Sequence, residues 1–291
     1  MFRLMPSILT CERKILCVSA RTLMLQEHHG MAILQKENIN VPPFGVARTA
    51  DEARKQAERI GGKDYVIKAQ VLAGGRGKGR FDSGLQGGVQ VVFTPDEAME
   101  KARMMIGANL ITKQTDHRGK LCEEVMVCKR LFTRREYYFS ITLDRNTNGP
   151  ILIASSRGGV NIEEVAATEP DAIIKTPVDM SVGVTAEIAV DVAAKMGFQG
   201  DCAKQAADII LKLYTLFRRT DATLLEINPM AEDVNGSAWV IKFIVWIAKC
   251  YWIPMLNSVN RNCFNLKTLN RKTLWRYVAS TIILQHINYR I

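Results

Sequence analysis

"VIKAQVLAGGRGKG", residues 66–79, is the stretch on which the fold of this chain turns. The run from Asp64 to Val71 alternates Tyr65, Ile67, Ala69 and Val71 with Val66, Lys68 and Gln70, the period-two pattern of a strand with one apolar face. Lys68 is therefore expected on the other face, directly ahead of four glycines interleaved with Arg76 and Lys78. Glycines let backbone N–H groups approach a ligand closely, and cations beside them favour phosphate. The spacing is not that of a P-loop, because Lys78 is followed by Gly79 instead of Ser or Thr. It is not a dinucleotide fingerprint either, since Arg80 stands where the third glycine belongs.

Outward from this loop the chain mixes helices and strands. A helix is expected over 23–38, broken by "NVPPFG" (40–45). Thr49 with Glu52 reads as a capping box, and the helix it opens stops at Gly61-Gly62. "GGVQVVF" (87–93) reads as a second strand, and Thr94-Pro95 starts a helix closed by Gly107. "REYYFSITLDR" (135–145) and "ILIASS" (151–156) form a hairpin around "NTNGP". Two helices follow, "TAEIAVDVAAKMG" and "DCAKQAADIILKLYTLFRR", whose apolar stripes are core positions. "ATLLEINPM" (222–230) and "SAWVIK" (237–242) form a second hairpin around Asn235-Gly236. Antiparallel hairpins among helices predict an α+β fold.

Charge is unevenly placed. The net charge of +10 arises mainly after Asp233, where eight of the 39 Lys and Arg residues lie with no acidic residue among them. The preceding body is nearly neutral, which gives nucleic-acid binding no electrostatic footing. Seven cysteines form no CxxC pair, the pattern of reduced thiols, and the histidines show no metal-ligand spacing. His28-His29 reads as a surface helix cap. Residues 1–22 carry four cations against Glu12 alone, the composition of a mitochondrial transit peptide or of a disordered alternative start. No apolar run reaches the roughly 20 residues that a membrane-spanning helix needs.

Several long motifs, "VIKAQVLAGGRGKG", "GLQGGV", "MIGANLITKQT", "RREYYF", "RGGVNIEEVAA" and "LLEINPM", occur in an order that resembles the ATP-grasp domain of succinate–CoA ligase β subunits. "VMVCKRLFTRREYYFSITLDR" is similar to the mitochondrial, ADP-forming kind in particular. The resemblance runs from about Leu25 to about Val240 and implies two α+β lobes clamping ATP. It implies that Lys68 contacts the phosphates, that Gly75, Arg76 and Gly77 form the loop over them, and that Glu136 binds the nucleotide. Cys128 and Leu131 would line the base through backbone atoms, while Asp64 and Phe132 fall where ATP is chosen over GTP. Asn228 matches one Mg²⁺ ligand and Glu226 a catalytic carboxylate near the phosphoryl-transfer site. The partners implied are succinate, CoA and an α subunit that carries a transiently phosphorylated histidine, in the mitochondrial matrix.

The chain departs from that pattern at its last hairpin. With Asn235-Gly236 at the turn, positions whose numbers sum to about 470 face each other, which places Lys242 across from Asn228. The family pattern has an Asp there, as a second Mg²⁺ ligand. A cation at that position removes a ligand and adds repulsion. The resemblance also ends here, so 1–22 is set apart as a leader, 23–241 as the ATP-grasp domain and 242–291 as a divergent basic tail without a fold of its own. A frame change, a retained intron or a mispredicted gene end would each give such a tail, and a membrane-surface segment is the alternative. The chain is read as a truncated β subunit, or alternatively as a non-catalytic nucleotide-binding module.

Overall fold

The computed structural model describes residues 20–250 apart from residue 145. Thr22–Ala248 forms one compact unit; of the other, only the strand ends 20–21 and 249–250 are described. The expected leader therefore lies outside the described residues except for its last three, as do residues 251–291 of the expected tail.

The elements run β1 (Ala20–Met24), α1 (Glu27–Lys36), β2 (Phe44–Ala47), α2 (Ala50–Ile60), β3 (Tyr65–Ala69), β4 (Arg80–Phe81), β5 (Val89–Val92), α3 (Pro95–Met105), β6 (Asn109–Ile111), β7 (Lys120–Leu121) and β8 (Val125–Lys129). There follow β9 (Thr133–Asp144), β10 (Gly149–Ser155), α4 (Ile162–Thr168), β11 (Ile173–Pro177), α5 (Ala186–Met196), α6 (Gly200–Arg219), β12 (Ala222–Asp233), β13 (Ala238–Val240) and β14 (Phe243–Cys250). The helix expected from residue 23 begins at Glu27, because residues 20–24 are strand.

The first sheet, β2-β8-β3-β5, is antiparallel, and helices α2 and α3 cover one of its faces. Tyr65, Ile67 and Ala69 of β3 and Val125 and Val127 of β8 point into that face and meet Ala53, Ala57, Ala98 and Ala102 of the helices. Small residues on the helices let the layers approach, and capping holds each helix start: Thr49 Oγ1 accepts from Glu52 N at 3.2 Å and Thr94 Oγ1 from Glu97 N at 3.1 Å. The opposite face of the sheet carries Val66, Lys68, Met126 and Cys128, as the alternation along β3 predicts. Strands β4, β6 and β7 form a small side sheet.

The larger sheet has the order β1-β14-β12-β9-β10-β11, with β13 also pairing with β12. Phe139 and Ile141 of β9 and Leu225 and Ile227 of β12 share a core with Val192 and Ala193 of α5 and Ile210 and Leu213 of α6. The final hairpin has the register read from its turn: Met230 faces Val240, Glu232 faces Ala238, and Ile227 faces Phe243. The stretch expected to begin a tail at residue 242 starts instead as strand β14 alongside β12. Its alternation explains this, since Phe243 and Val245 are buried at 1% and 3% exposure while Ile244 between them is partly open. Phe243 also seats α1, because a Cβ added to Gly30 would come within 2.7 Å of its ring.

Candidate functional site

Strand β3 delivers Lys68 into a cleft of about 510 Å³ whose lining includes Glu27, the first residue of α1. Lys68 Nζ donates to Glu27 Oε1 at 2.8 Å and to the Ile241 carbonyl at 3.4 Å. Arg76 pairs with the other oxygen of the same carboxylate, and its Nη1 donates to the Ala69 carbonyl at 2.6 Å. One buried carboxylate thus holds both cations. Burial works against ionising Glu27, but Lys68 and Arg76 outweigh it and hold the carboxyl at about 2. Lys68 is likewise opposed by burial, and Glu27 raises its pKa above the ordinary lysine value.

Behind Lys68 the glycine loop closes over the cleft. Gly75 takes a left-handed conformation, φ +71°, which turns the chain into the short 3₁₀ turn Arg76–Lys78. Two bonds tie the loop to the approach to β5: Gly88 N donates to Arg76 O and Gly87 N to Gly79 O, each at 2.8 Å. Val89 and Val91 of β5, 37% and 43% exposed, and Val66 of β3 form an apolar wall beside it.

The linker from β8 to β9 supplies the next side. Cys128 is buried, and its thiol, raised by that burial, lies 3.5 Å from the Val66 carbonyl. Leu131 lines the cleft. Arg130 N donates to the Asp64 carbonyl at 3.2 Å, and the Arg130 guanidinium sits 5.2 Å from the Phe132 ring centroid. Asp64 and Phe132 thus brace this linker from outside the lining, Phe132 being 56% exposed.

Glu136 on β9 faces the cleft and accepts from Thr133 Oγ1 at 3.1 Å. Gly159 lies against it with φ +72°, and a Cβ there would fall 2.1 Å from Glu136 Oε2, so only glycine leaves that carboxylate in place. Gly159 N donates to Asn228 Oδ1 at 2.8 Å, and Asn228 Nδ2 donates to the Val160 carbonyl at 2.9 Å. Asn228 N in turn donates to Lys242 O at 3.3 Å, so the two residues are cross-strand partners as the turn predicts.

Lys68, Gly75, Arg76, Gly77, Cys128, Leu131 and Glu136 thus share one cleft. Glu226 does not line it; its carboxyl is pushed up by burial, opposed by Lys242 and reinforced by Glu163. Glu27 was not anticipated from the sequence, although an acidic residue in a helix's first turn was the available signal. The apolar wall of Val66, Val89 and Val91 was missed as well. His28, expected on the surface, is buried and its backbone N–H bonds Gln70 Oε1 at 3.1 Å.

The lining holds five cations, Lys68, Arg76, Lys129, Arg130 and Lys242, against two carboxylates, Glu27 and Glu136. An apolar slot beside a cationic, glycine-covered end suits a base joined to a polyphosphate. A divalent metal ion fits less well. Both ends of the Asn228 amide are engaged, Lys242 enters the lining beside it, and among the described residues no three His, Cys, Asp or Glu are grouped to hold a metal. At this hairpin the side chains therefore offer a divalent ion the Asn228 amide oxygen, which already accepts from Gly159 N, with a cation where the resemblance implies an Asp ligand.

The fold and the cleft define the class. Residues 24–232 match the family model of the ATP-grasp domain, and the chain belongs to that family. Among curated proteins it is 72% identical over 237 residues to the mitochondrial β subunit of the ADP-forming succinate–CoA ligase of Caenorhabditis elegans, a match that covers 81% of this chain and 54% of the relative. The Columba livia ADP-forming subunit is 56% identical over 216 residues, covering 74% of this chain and 52% of its own; the human GDP-forming one is 46% identical over 218, covering 75% and 50%. The chain spans about half the length of the curated relatives it matches. Among solved structures, an acetyl-coenzyme A synthetase of Candidatus Korarchaeum cryptofilum superimposes with a TM-score of 0.56 at 15% identity, over 78% of this chain and 93% of that one, a likeness of fold alone.

Proposed function

We propose that this chain is the nucleotide-binding part of the β subunit of an ADP-forming succinate–CoA ligase, which converts succinate, ATP and CoA to succinyl-CoA, ADP and phosphate in the mitochondrial matrix. The observation that carries this reading is the cluster in which Glu27 orients Lys68 and Arg76 beneath the glycine loop, with Glu136 across the same cleft. Lys68 and Arg76 hold phosphate oxygens, the amides of Gly75 and Gly77 cover them, and Glu136 accepts from the ribose. The base lies between Val66, Val89 and Val91 and the Cys128–Leu131 backbone. Asp64 and Phe132 shape the linker that selects adenine over guanine, a reading supported by the higher identity to ADP-forming than to GDP-forming relatives.

Glu226 is assigned beside the transfer site, where burial keeps it closer to neutral than an ordinary carboxylate. Magnesium, when bound to a nucleotide, would neutralise phosphate charge; the residue that would hold it is Asn228, with Lys242 where the resemblance implies a second ligand. Residues 1–22 act as the import leader, and an α subunit completes the reaction. Calorimetry of ATP and GTP titrated into the full chain tests the binding. The reading predicts tighter ATP binding, lost in Lys68→Met. Equal affinity for both nucleotides, or none for either, contradicts it. Succinyl-CoA formation on coexpression with an α subunit tests the whole reaction. The second reading, a nucleotide-binding module without turnover, is favoured by Lys242 beside Asn228 and predicts ATP binding with no product.

A further inference from the structure

We propose that the cleft holds a nucleoside triphosphate without a divalent cation, the side chain of Lys242 supplying the positive charge that a metal ion would bring. This rests on the nucleotide reading above. Three observations carry it. First, the cross-strand register sets Lys242 opposite Asn228, and Lys242 enters the cleft lining with Lys68 and Arg76. Second, Lys68 and Arg76 are already shared by Glu27, while Lys242 forms no ion pair within 4 Å among the described residues, Glu27 and Glu226 acting on it only from farther off. Its ammonium is available to an incoming anion. Third, Asn228 already holds the Gly159–Val160 loop, its Oδ1 accepting from Gly159 N and its Nδ2 donating to the Val160 carbonyl, and a cation stands where the resemblance implies the second oxygen ligand.

The electrostatics favour the free nucleotide. An ammonium lining the same cleft repels a divalent ion and attracts an anion, which weakens the hold on the one and strengthens it on the other. The lining sets five cations against the carboxylates of Glu27 and Glu136, and a polyphosphate brings the negative charge that balances them. The triphosphate with no metal attached carries more of that charge than its magnesium complex, so this cleft selects it.

The test is calorimetry of ATP into the full chain, once with excess EDTA and once with excess Mg²⁺. The expected result is binding in EDTA at least as tight as in Mg²⁺, and in EDTA a loss of about tenfold or more for Lys242→Met, the scale of one charge-assisted bond. The two wild-type titrations stand even if the variant does not fold. Binding that requires Mg²⁺ overturns this inference and leaves the nucleotide reading intact. An unchanged affinity in a folded Lys242→Met protein overturns the role of that residue. No binding of ATP in either condition overturns both.

Discussion

Lys68 Nζ lies 2.8 Å from Glu27 Oε1, joining the middle of β3 to the first residue of α1 across 41 positions of sequence. The same carboxylate takes Arg76 from the glycine loop, so a strand, a helix start and a loop converge on one acid whose side chain is 3% exposed. Replacing it as Glu27→Gln leaves two cations largely buried with no counter-charge. The expected loss is about 3 kcal/mol or more of unfolding free energy, the usual cost of breaking a buried pair. Urea denaturation checks it; a loss below about 1 kcal/mol would show the pair to be solvated.

The same carboxylate gives the protein a pH dependence whose sign follows from its pKa. Folding lowers Glu27 from 4.5 to about 2, so its contribution to stability is fully present above the unfolded value. It disappears as the pH falls from about 4.5 toward 2. Urea midpoints measured from pH 7 down to 3 should fall steeply in the wild type, and more shallowly in Glu27→Gln. His28 acts in the same direction at higher pH: burial lowers its pKa, so its contribution is present above 6.5 and fades below.

Gly159 predicts a local effect on binding. In Gly159→Ala the added methyl meets Glu136 Oε2 and the residue keeps a left-handed conformation, a strain of about 1–2 kcal/mol. Glu136 is expected to move, and ATP affinity to fall several-fold by calorimetry, with the thermal midpoint lowered by only a few degrees. A larger effect on melting than on binding would mean that Glu136 does not contact the nucleotide.

The apolar wall offers a stability-neutral probe. Val91 is 43% exposed, so Val91→Asp should leave the melting temperature nearly unchanged. ATP binding should weaken by about tenfold, because the base would lie against a carboxylate. A binding curve matching the wild type would place the base elsewhere.

What the sequence made legible was local. The alternation along β3 put Lys68 on the cleft face, the Thr49 and Thr94 caps set two helix starts, and the Asn235-Gly236 turn fixed the pairing that brings Lys242 to Asn228. What escaped was whatever depends on residues distant in the chain. Glu27 looked like an ordinary acid in a helix's first turn until two cations from 41 and 49 positions away closed on it. Val89 and Val91 read simply as strand residues, because nothing local says that their face is left open for a ligand. The strand after Lys242 was missed because absent acids and glycines weighed more in the reading than the alternation of Phe243, Ile244 and Val245.

The contact between Gly30 and the Phe243 ring has a consequence for any protein that shares this half. The helix whose first residue neutralises the cleft's cations leans on Phe243, the first residue of β14. Shortening this polypeptide before Phe243 would remove the buttress of its own anion site.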